Sequence, residues 1–93
     1  MLCAGQVCIA AKRIIAVDGI YERFRELLLE ELEPYVMADP TAADCRLGPL
    51  AREDLRDIVH GQVKISVAAG ADLVCGGSVP DRDGWWYPVS YTH

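Results

Sequence analysis

Patterns typical of metal-binding and nucleic-acid-binding proteins are missing from this chain. Its 93 residues contain two histidines and four cysteines (Cys3, Cys8, Cys45 and Cys75), and no two cysteines form a C-x-x-C pair. A zinc site is therefore not expected. The formal net charge is −5, and no stripe of basic residues alternates with aromatic ones. Nucleic acid is therefore excluded as the expected partner.

A secretory signal and a long hydrophobic run are also missing. Residues 1–11 are apolar, but they carry no early positive charge and Gln6 interrupts them. The segment is too short and too polar to act as a signal peptide or a membrane span. We therefore expect a cytoplasmic protein with no membrane partner. In that reducing compartment free thiols are favoured over a disulfide between Cys3 and Cys8.

Aromatic residues are scarce, at 8% of the chain, whereas apolar residues make up 52%. The excess consists of Ala, Leu, Val and Ile. A chain of 93 residues forms at most one small domain. This composition fits either a piece of a larger packed body or a free-standing domain. No linker, low-complexity tract or internal repeat is visible.

The hydrophobic pattern predicts helices alternating with strands. The predicted segments are a turn and short helix over residues 5–11, a buried strand over 13–17, helices over 20–36 and 52–69, a strand over 71–75 and an edge strand over 85–88. Strands joined through helices favour a parallel, right-handed crossover, and parallel strands need helices over both faces. Because these helices would cover about one face, we expect the chain to leave apolar surface and strand edges open and to self-associate.

The most informative motif is Gly-Gln-Val-Cys-Ile-Ala-Ala-Lys-Arg at residues 5–13. It places Cys8 after a glycine turn and ahead of the predicted short helix. A thiol at a helix N-terminus faces backbone N–H groups that stabilise a thiolate and can bind a developing oxyanion. This stretch resembles the catalytic-cysteine motif of the aldehyde dehydrogenase superfamily. Its residues are similar to those of the succinate-semialdehyde dehydrogenase branch.

The resemblance continues to about Pro88. The motifs that carry it are Tyr-Glu-Arg-Phe at 21–24, Asp-Pro at 39–40, Leu-Gly-Pro-Leu at 47–50, Ala-Gly-Ala at 69–71 with Gly-Gly at 76–77, and Gly-Trp-Trp-Tyr-Pro at 84–88. Three features depart from the family pattern. Cys3 stands where the family usually has asparagine, and Ala38 replaces a common glycine. The ending at residues 89–93 looks like a scar or a truncated reading frame.

The resemblance implies an α/β fold, with residues 1–93 forming a parallel-sheet fragment of the three-layer catalytic domain and the cofactor-binding domain absent. It implies that the Cys8 thiolate attacks an aldehyde, that hydride then leaves to NAD or NADP, and that water releases the carboxylate. Of the family's catalytic parts only Cys8 and its N–H are present. We therefore expect no cofactor binding and no activity from this chain alone. The parent is expected to be a homo-oligomer.

Each candidate residue also has a simpler interpretation. Cys8 could be a small buried hydrophobe, as most free cysteines are. His60 fits a surface or packing role better than a catalytic one. The glutamates at 30, 31 and 33 fit a solvated helix face, and the tryptophans at 85 and 86 fit a packing pair better than a ligand platform. For the whole chain, the alternative to an enzyme fragment is a non-catalytic, self-associating α/β interaction module.

Overall fold

Two helices and two short strands form the regular structure of residues 2–93, the part of the chain that this computed structural model describes. Helix α1 spans Asp18–Leu32 and helix α2 spans Glu53–Ala68. Strand β1 spans Leu73–Cys75 and strand β2 spans Tyr91–Thr92. A short 3-10 turn at Leu2–Gly5 precedes them. The α/β class expected from the sequence is confirmed.

Helix α1 matches the predicted helix over residues 20–36 but is shifted toward the N-terminus. It begins at Asp18, whose negatively charged carboxylate in the first turn is attracted to the positive end of the helix dipole. It ends at Leu32, because Pro34 has no N–H with which to continue the hydrogen-bond ladder. Although its apolar residues recur at helical spacing, none of its side chains is fully buried.

Helix α2 agrees closely with the helix predicted over residues 52–69. The guanidinium of Arg56 donates to the carboxylates of Glu53 at 3.2 Å and Asp57 at 2.9 Å, which secures the first turn. The helix ends where Gly70 adopts a φ of +100° and donates its N–H to the carbonyl of Val67. This left-handed glycine ends the helix in the manner expected from the sequence.

The prediction of a buried strand over residues 13–17 is wrong. The segment is coil, and the side chains of Ile14, Ile15 and Val17 are exposed to solvent. A strand forms only when its N–H and C=O groups meet those of a neighbouring strand. Within residues 2–93 no such neighbour lies beside this segment, so its β-branched composition is not sufficient to make it a strand.

The parallel pairing expected between residues 13–17 and 71–75 is not present in residues 2–93. Strand β1 instead pairs antiparallel with β2, with Leu73 opposite Thr92 and Cys75 opposite Tyr91. Parallel geometry occurs in one isolated bridge between Met37 and Leu47. With residues 13–17 unpaired, the C-terminal end of the chain supplies the neighbour of β1.

The predicted edge strand over residues 85–88 is also wrong, because two of these residues belong to the core of an irregular loop, while Trp85 is exposed and so does not form a buried pair with Trp86. Trp86 and Tyr87 are buried together with Leu47 and Leu50, and the N–H of Leu50 donates to the carbonyl of Trp85 at 2.8 Å. One hydrogen bond to an irregular loop does not extend into a ladder. The segment therefore anchors the loop before α2 to the C-terminal part of the chain.

The molecule has an unusually large surface for its mass. Its accessible area is 6893 Å², whereas a folded monomer of 10.2 kDa is expected to expose about 5,300 Å². Among residues 3–93, thirteen large apolar side chains are exposed, against four that form the buried core. The expectation of uncovered apolar surface is confirmed.

Candidate functional site

Cys8 lies in an exposed turn and not at a helix N-terminus. The N–H of Ala10 donates to the carbonyl of Val7 at 3.1 Å, which closes a turn around Cys8, and residues 9–17 contain no helix. The short helix predicted over residues 5–11 is therefore wrong, because so few residues do not form a stable helix without packing. Cys8 is exposed in this chain, which differs from the burial expected of a small core hydrophobe.

Lys12 holds the turn in shape from its C-terminal side. Its ammonium donates to the carbonyl of Ala10 at 2.9 Å and lies 3.4 Å from the carbonyl of Val7 and 3.5 Å from that of Cys8. These contacts gather three carbonyl oxygens on one cation. The N–H of Cys8 has no hydrogen-bond partner in the described part of the chain, so it is free to donate to a bound oxyanion.

Gln6 connects the Cys8 turn to the rest of the molecule. Its side-chain amide donates to the carbonyl of Cys3 at 3.1 Å, and its amide oxygen accepts the N–H of Ala51 at 3.0 Å. Ala51 lies two residues before α2. One side chain thereby places the cysteine-bearing segment against the start of a helix 45 residues along the chain.

An open groove of about 920 Å³ separates this segment from α2. Gly5, Gln6, Lys12 and Arg13 line one side. Val59, Gln62, Val63 and Ser66 of α2 line the other. Cys8 is not among the lining residues, so its sulfur faces open solvent and not a substrate-sized cavity formed by residues 2–93.

His60 packs against the core, as the sequence indicates. Its Nδ1 lies 3.2 Å from the hydroxyl of Tyr87, and the two rings meet edge to face at 5.8 Å between centroids. Burial raises the pKa of Tyr87, although a hydrogen bond with Ser90 opposes this. The partner of the His60 imidazole is thus a buried phenol of the core, in keeping with a packing role.

The remaining candidates have structural roles in residues 2–93. Glu30, Glu31 and Glu33 are exposed along α1 and its end, as expected of a solvated face. Trp86 is buried, and its ring lies under the guanidinium of Arg82 at 3.8 Å. Within the described range no group of three acidic, histidine or cysteine side chains could hold a metal ion. No helix in that range is long and apolar enough to span a bilayer.

Comparison with known proteins identifies relatives along nearly the whole chain. A model of the aldehyde dehydrogenase family matches residues 1–90. The chain is 50% identical over 84 residues to the succinate-semialdehyde dehydrogenase (NADP(+)) of Mycobacterium leprae, covering 90% of this chain and 18% of that protein. It is 39% identical over 87 residues to an aldehyde dehydrogenase of Paenarthrobacter nicotinovorans, covering 94% of this chain and 19% of that protein. The chain thus spans less than a fifth of the length of these relatives.

Solved structures give the same result at the level of the fold. A betaine aldehyde dehydrogenase of Staphylococcus aureus, in complex with NAD+ and with a BME-modified cysteine, superposes with a TM-score of 0.85 at 28% identity, covering 94% of this chain and 18% of that one. An NADP-dependent enzyme of E. coli superposes with a TM-score of 0.88 at 31% identity and the same coverage. The arrangement of α1, α2 and the β1–β2 pair therefore has counterparts in larger enzymes.

Proposed function

The chain belongs to the aldehyde dehydrogenase family, and from this we propose that it forms part of an enzyme that oxidises an aldehyde to a carboxylate with NAD or NADP. The family assignment confirms the resemblance read from residues 5–13, including its likeness to the succinate-semialdehyde branch. We propose that residues 1–93 belong to the catalytic domain, completed in the longer protein by a parallel sheet and a cofactor-binding domain. We also propose a cytoplasmic location.

We propose Cys8 as the nucleophile of that enzyme. The observation that carries this proposal is an exposed thiol whose own N–H is free, located in the motif that resembles the family's catalytic cysteine. The thiolate would form a C–S bond to the carbonyl carbon of the aldehyde while the π pair moves to oxygen. The N–H of Cys8 would donate to that oxyanion, and a proton from water would complete the thiohemiacetal.

The described residues do not themselves fit a nicotinamide dinucleotide. A pyrophosphate is held by a glycine-rich turn that leads into a helix N-terminus. Helix α1 begins with Asp18, and α2 begins with Glu53 and Asp54, so carboxylates occupy both helix N-termini. We therefore place the cofactor on other parts of the enzyme and assign no step of its chemistry to these residues.

Among aldehydes, we propose succinate semialdehyde as the substrate of the longer enzyme. Support comes from the succinate-semialdehyde dehydrogenase (NADP(+)) proteins of several mycobacteria, to which this chain is 44–50% identical. The betaine aldehyde dehydrogenase has a similar fold at lower sequence identity. Betaine aldehyde, whose charge is opposite to that of succinate semialdehyde, is therefore the alternative substrate to include in the same assay.

Activity assays on two proteins test the proposal. The 93-residue chain, given succinate semialdehyde with NAD+ or NADP+, is expected to form no reduced cofactor. A longer protein that contains this sequence is expected to turn over, and Cys8→Ala should lower kcat at least about 10³-fold, because the covalent step has no other nucleophile. Cys45→Ala is the matched control and should retain activity. Turnover that survives Cys8→Ala would contradict the assignment.

A second candidate function is self-association of this chain as a non-catalytic module. For the longer enzyme we also propose homo-oligomer formation. The observation that favours self-association of the chain is the accessible area of 6893 Å² on a chain of 10.2 kDa. Exposed apolar side chains lie on the 13–17 segment and on both helices. Measuring the molar mass across a concentration series distinguishes a monomer from an associating chain.

A further inference from the structure

Two Asp-Gly pairs occur in the sequence, at residues 18–19 and 83–84. An aspartate followed by glycine is open to an intramolecular reaction, because glycine has no side chain to shield its backbone nitrogen from the neighbouring carboxyl group. The first pair lies in α1, and the second lies in the 81–84 loop, whose backbone forms bends. The chain therefore presents the same two residues in two different backbone settings.

Helix α1 restrains the first pair. Ring closure between the carboxyl of Asp18 and the nitrogen of Gly19 requires the backbone of Asp18 to rotate away from the helical ψ of about −42°. That rotation disrupts the first turn, in which the N–H of Ile20 donates to the carbonyl of Val17 at 3.0 Å. The fold therefore opposes the reaction at Asp18 until this end of the helix opens.

The 81–84 loop does not restrain the second pair in this way. Within the described part of the chain, the N–H groups of Asp83 and Gly84 make no backbone hydrogen bond, and the carboxyl of Asp83 has no hydrogen-bond or ion-pair partner. All four residues of the loop are exposed. Rotation of the backbone at Asp83 therefore breaks no backbone hydrogen bond.

One side-chain contact activates the peptide group between Asp83 and Gly84. The indole N–H of Trp86 donates to the carbonyl of Asp83 at 2.8 Å, and the guanidinium of Arg82 lies 3.8 Å from the centre of the same ring. A donor on the carbonyl oxygen stabilises the negative charge that the peptide group carries when its nitrogen loses a proton. The deprotonated nitrogen of Gly84 is the nucleophile of the ring closure, so this contact favours the reaction.

We propose that the Asp83–Gly84 peptide is a site of spontaneous isoaspartate formation, promoted by the indole of Trp86. The nitrogen of Gly84 forms a bond to Cγ of Asp83, and the amide proton leaves with the hydroxyl of the protonated carboxyl as water, which produces a cyclic imide. Water then opens the ring at either carbonyl and forms aspartate or isoaspartate. Isoaspartate adds one methylene to the backbone three residues before the buried Trp86. Its free α-carboxyl is a substrate for an isoaspartyl methyltransferase that uses S-adenosylmethionine.

Incubation in heavy-oxygen water measures the reaction, because each hydrolysis of the imide adds one heavy oxygen atom. The 93-residue chain is kept at neutral pH in reductant, either folded or in urea. Trypsin then releases Asp18 and Asp83 in separate peptides, 14–23 and 83–93. In the folded chain, label should enter Asp83 at least as fast as in urea, whereas it should enter Asp18 about tenfold more slowly than in urea. A folded rate at Asp83 below the rate in urea overturns the proposal.

A matched pair of variants checks the site. Asp83→Glu should abolish labelling of the 83–93 peptide, because the larger imide ring of glutamate forms far more slowly. Asp81→Glu, the same change in the same loop, should leave the labelling of that peptide unchanged. A purified isoaspartyl methyltransferase with labelled S-adenosylmethionine should methylate the aged wild-type chain in the 83–93 peptide. An aged chain that accepts no methyl group there contradicts the proposal.

Trp86→Phe tests the activating contact, because phenylalanine has no N–H. The variant should take up label at Asp83 more slowly than wild type when folded, and at the wild-type rate in urea. Circular dichroism shows whether the variant folds, and the comparison of folded and urea-unfolded wild type decides the matter if it does not. A folded variant that reacts as fast as wild type overturns the role assigned to Trp86.

Discussion

The cysteines of this chain differ most in how far reagents can reach their sulfur atoms. Cys8 and Cys3 are exposed, whereas Cys45 and Cys75 are half-buried. The thiol of Cys45 also donates to the carbonyl of Ala38 at 3.4 Å. Exposure therefore separates Cys8 from Cys45 and Cys75 even though Cys8 lacks the helix N-terminus that the sequence predicts for it.

In a Cys3→Ser background, Cys8 is expected to react with limiting iodoacetamide several-fold faster than Cys45 or Cys75. The physical reason is access, because alkylation needs the reagent to approach the sulfur directly. Peptide mass mapping after short incubation measures the order of labelling. The Cys3→Ser change matters because an exposed thiol near the N-terminus reacts quickly on its own. Equal labelling of Cys8 and Cys45 would show that the exposure of the turn does not govern reactivity.

Two tyrosines make stability depend on pH at the alkaline end. Loss of hydration and a hydrogen bond with Tyr91 raise the pKa of Tyr21 to about 12, and burial raises that of Tyr87. Because the folded pKa lies above the unfolded value, the folded state holds these protons more tightly. The stabilisation is therefore complete below about pH 10 and is lost as the pH rises from there toward the folded pKa.

Urea unfolding between about pH 9 and about pH 11 measures this loss. The urea midpoint of the wild-type chain is expected to fall across that interval. The midpoint of the Tyr21→Phe variant should fall less steeply, because phenylalanine has no proton to lose. The difference in slope, and not the absolute midpoint, is the quantity to compare. Parallel curves for wild type and Tyr21→Phe would mean that Tyr21 keeps its ordinary titration in the folded chain.

At the scale of elements, helices follow from the sequence far better than strands do. The backbone hydrogen bonds of α1 and α2 join residues within 15 or 16 consecutive positions, so the local sequence contains most of the information needed to predict them. The strand predicted at 13–17 fails because its partner is not among residues 2–93. Strand β2 is missed for the converse reason, since its two residues carry little pattern of their own. A turn is predicted at Cys8 and is present, whereas the helix predicted after it does not form, because so few residues need packing to hold a helix.

Replacing glycine by alanine is expected to change the stability of the fold in opposite directions at Gly84 and at Gly61. Gly84 has a φ of +104°, and an added Cβ would lie 2.8 Å from Nε1 of Trp86, which itself donates to the carbonyl of Asp83 at 2.8 Å. Gly84→Ala is therefore expected to destabilise the fold by about 1–3 kcal/mol. Gly61, in the interior of α2, has open space at its Cβ position. Gly61→Ala should stabilise by about 0.5–1 kcal/mol, through helix propensity alone.

Thermal unfolding followed by far-UV circular dichroism compares both variants with wild type under identical conditions. The shifts in midpoint should have opposite signs. A stabilising effect of Gly84→Ala would mean that the loop before Trp86 does not need its left-handed residue. A destabilising effect of Gly61→Ala would mean that the surface of α2 is covered at that position in solution.

On the scale of the whole molecule, the hydrophobic core is small for a chain of this length. In the part of the chain whose burial is described, four residues are buried, Leu47, Leu50, Trp86 and Tyr87, and they lie outside both helices. Neither helix contributes a fully buried side chain. Most of the hydrophobic stabilisation that a domain of this length would normally draw from its helix faces is therefore not realised in the single chain.

The isolated chain is expected to bind a hydrophobic dye such as ANS in native buffer and to unfold over a broad temperature range. The physical reason is the exposed apolar surface together with a core too small to couple the helices in one transition. Dye fluorescence and calorimetry measure the two properties. Tyr87→Ala should lower the remaining cooperativity further, because it removes a core side chain and the partner of His60. A sharp transition with no dye binding would show that the apolar faces are covered in solution.

The Gln6 hydrogen bond has a mechanical consequence. Within the described chain, the hydrogen bond from the N–H of Ala51 to Gln6 is the one that connects residues 3–16 to the rest of the molecule. The donor is a backbone N–H of the loop before α2, and the acceptor is a side chain that lies outside the turn itself. The orientation of the Cys8 turn relative to α2 therefore depends on a glutamine that takes no part in the proposed chemistry.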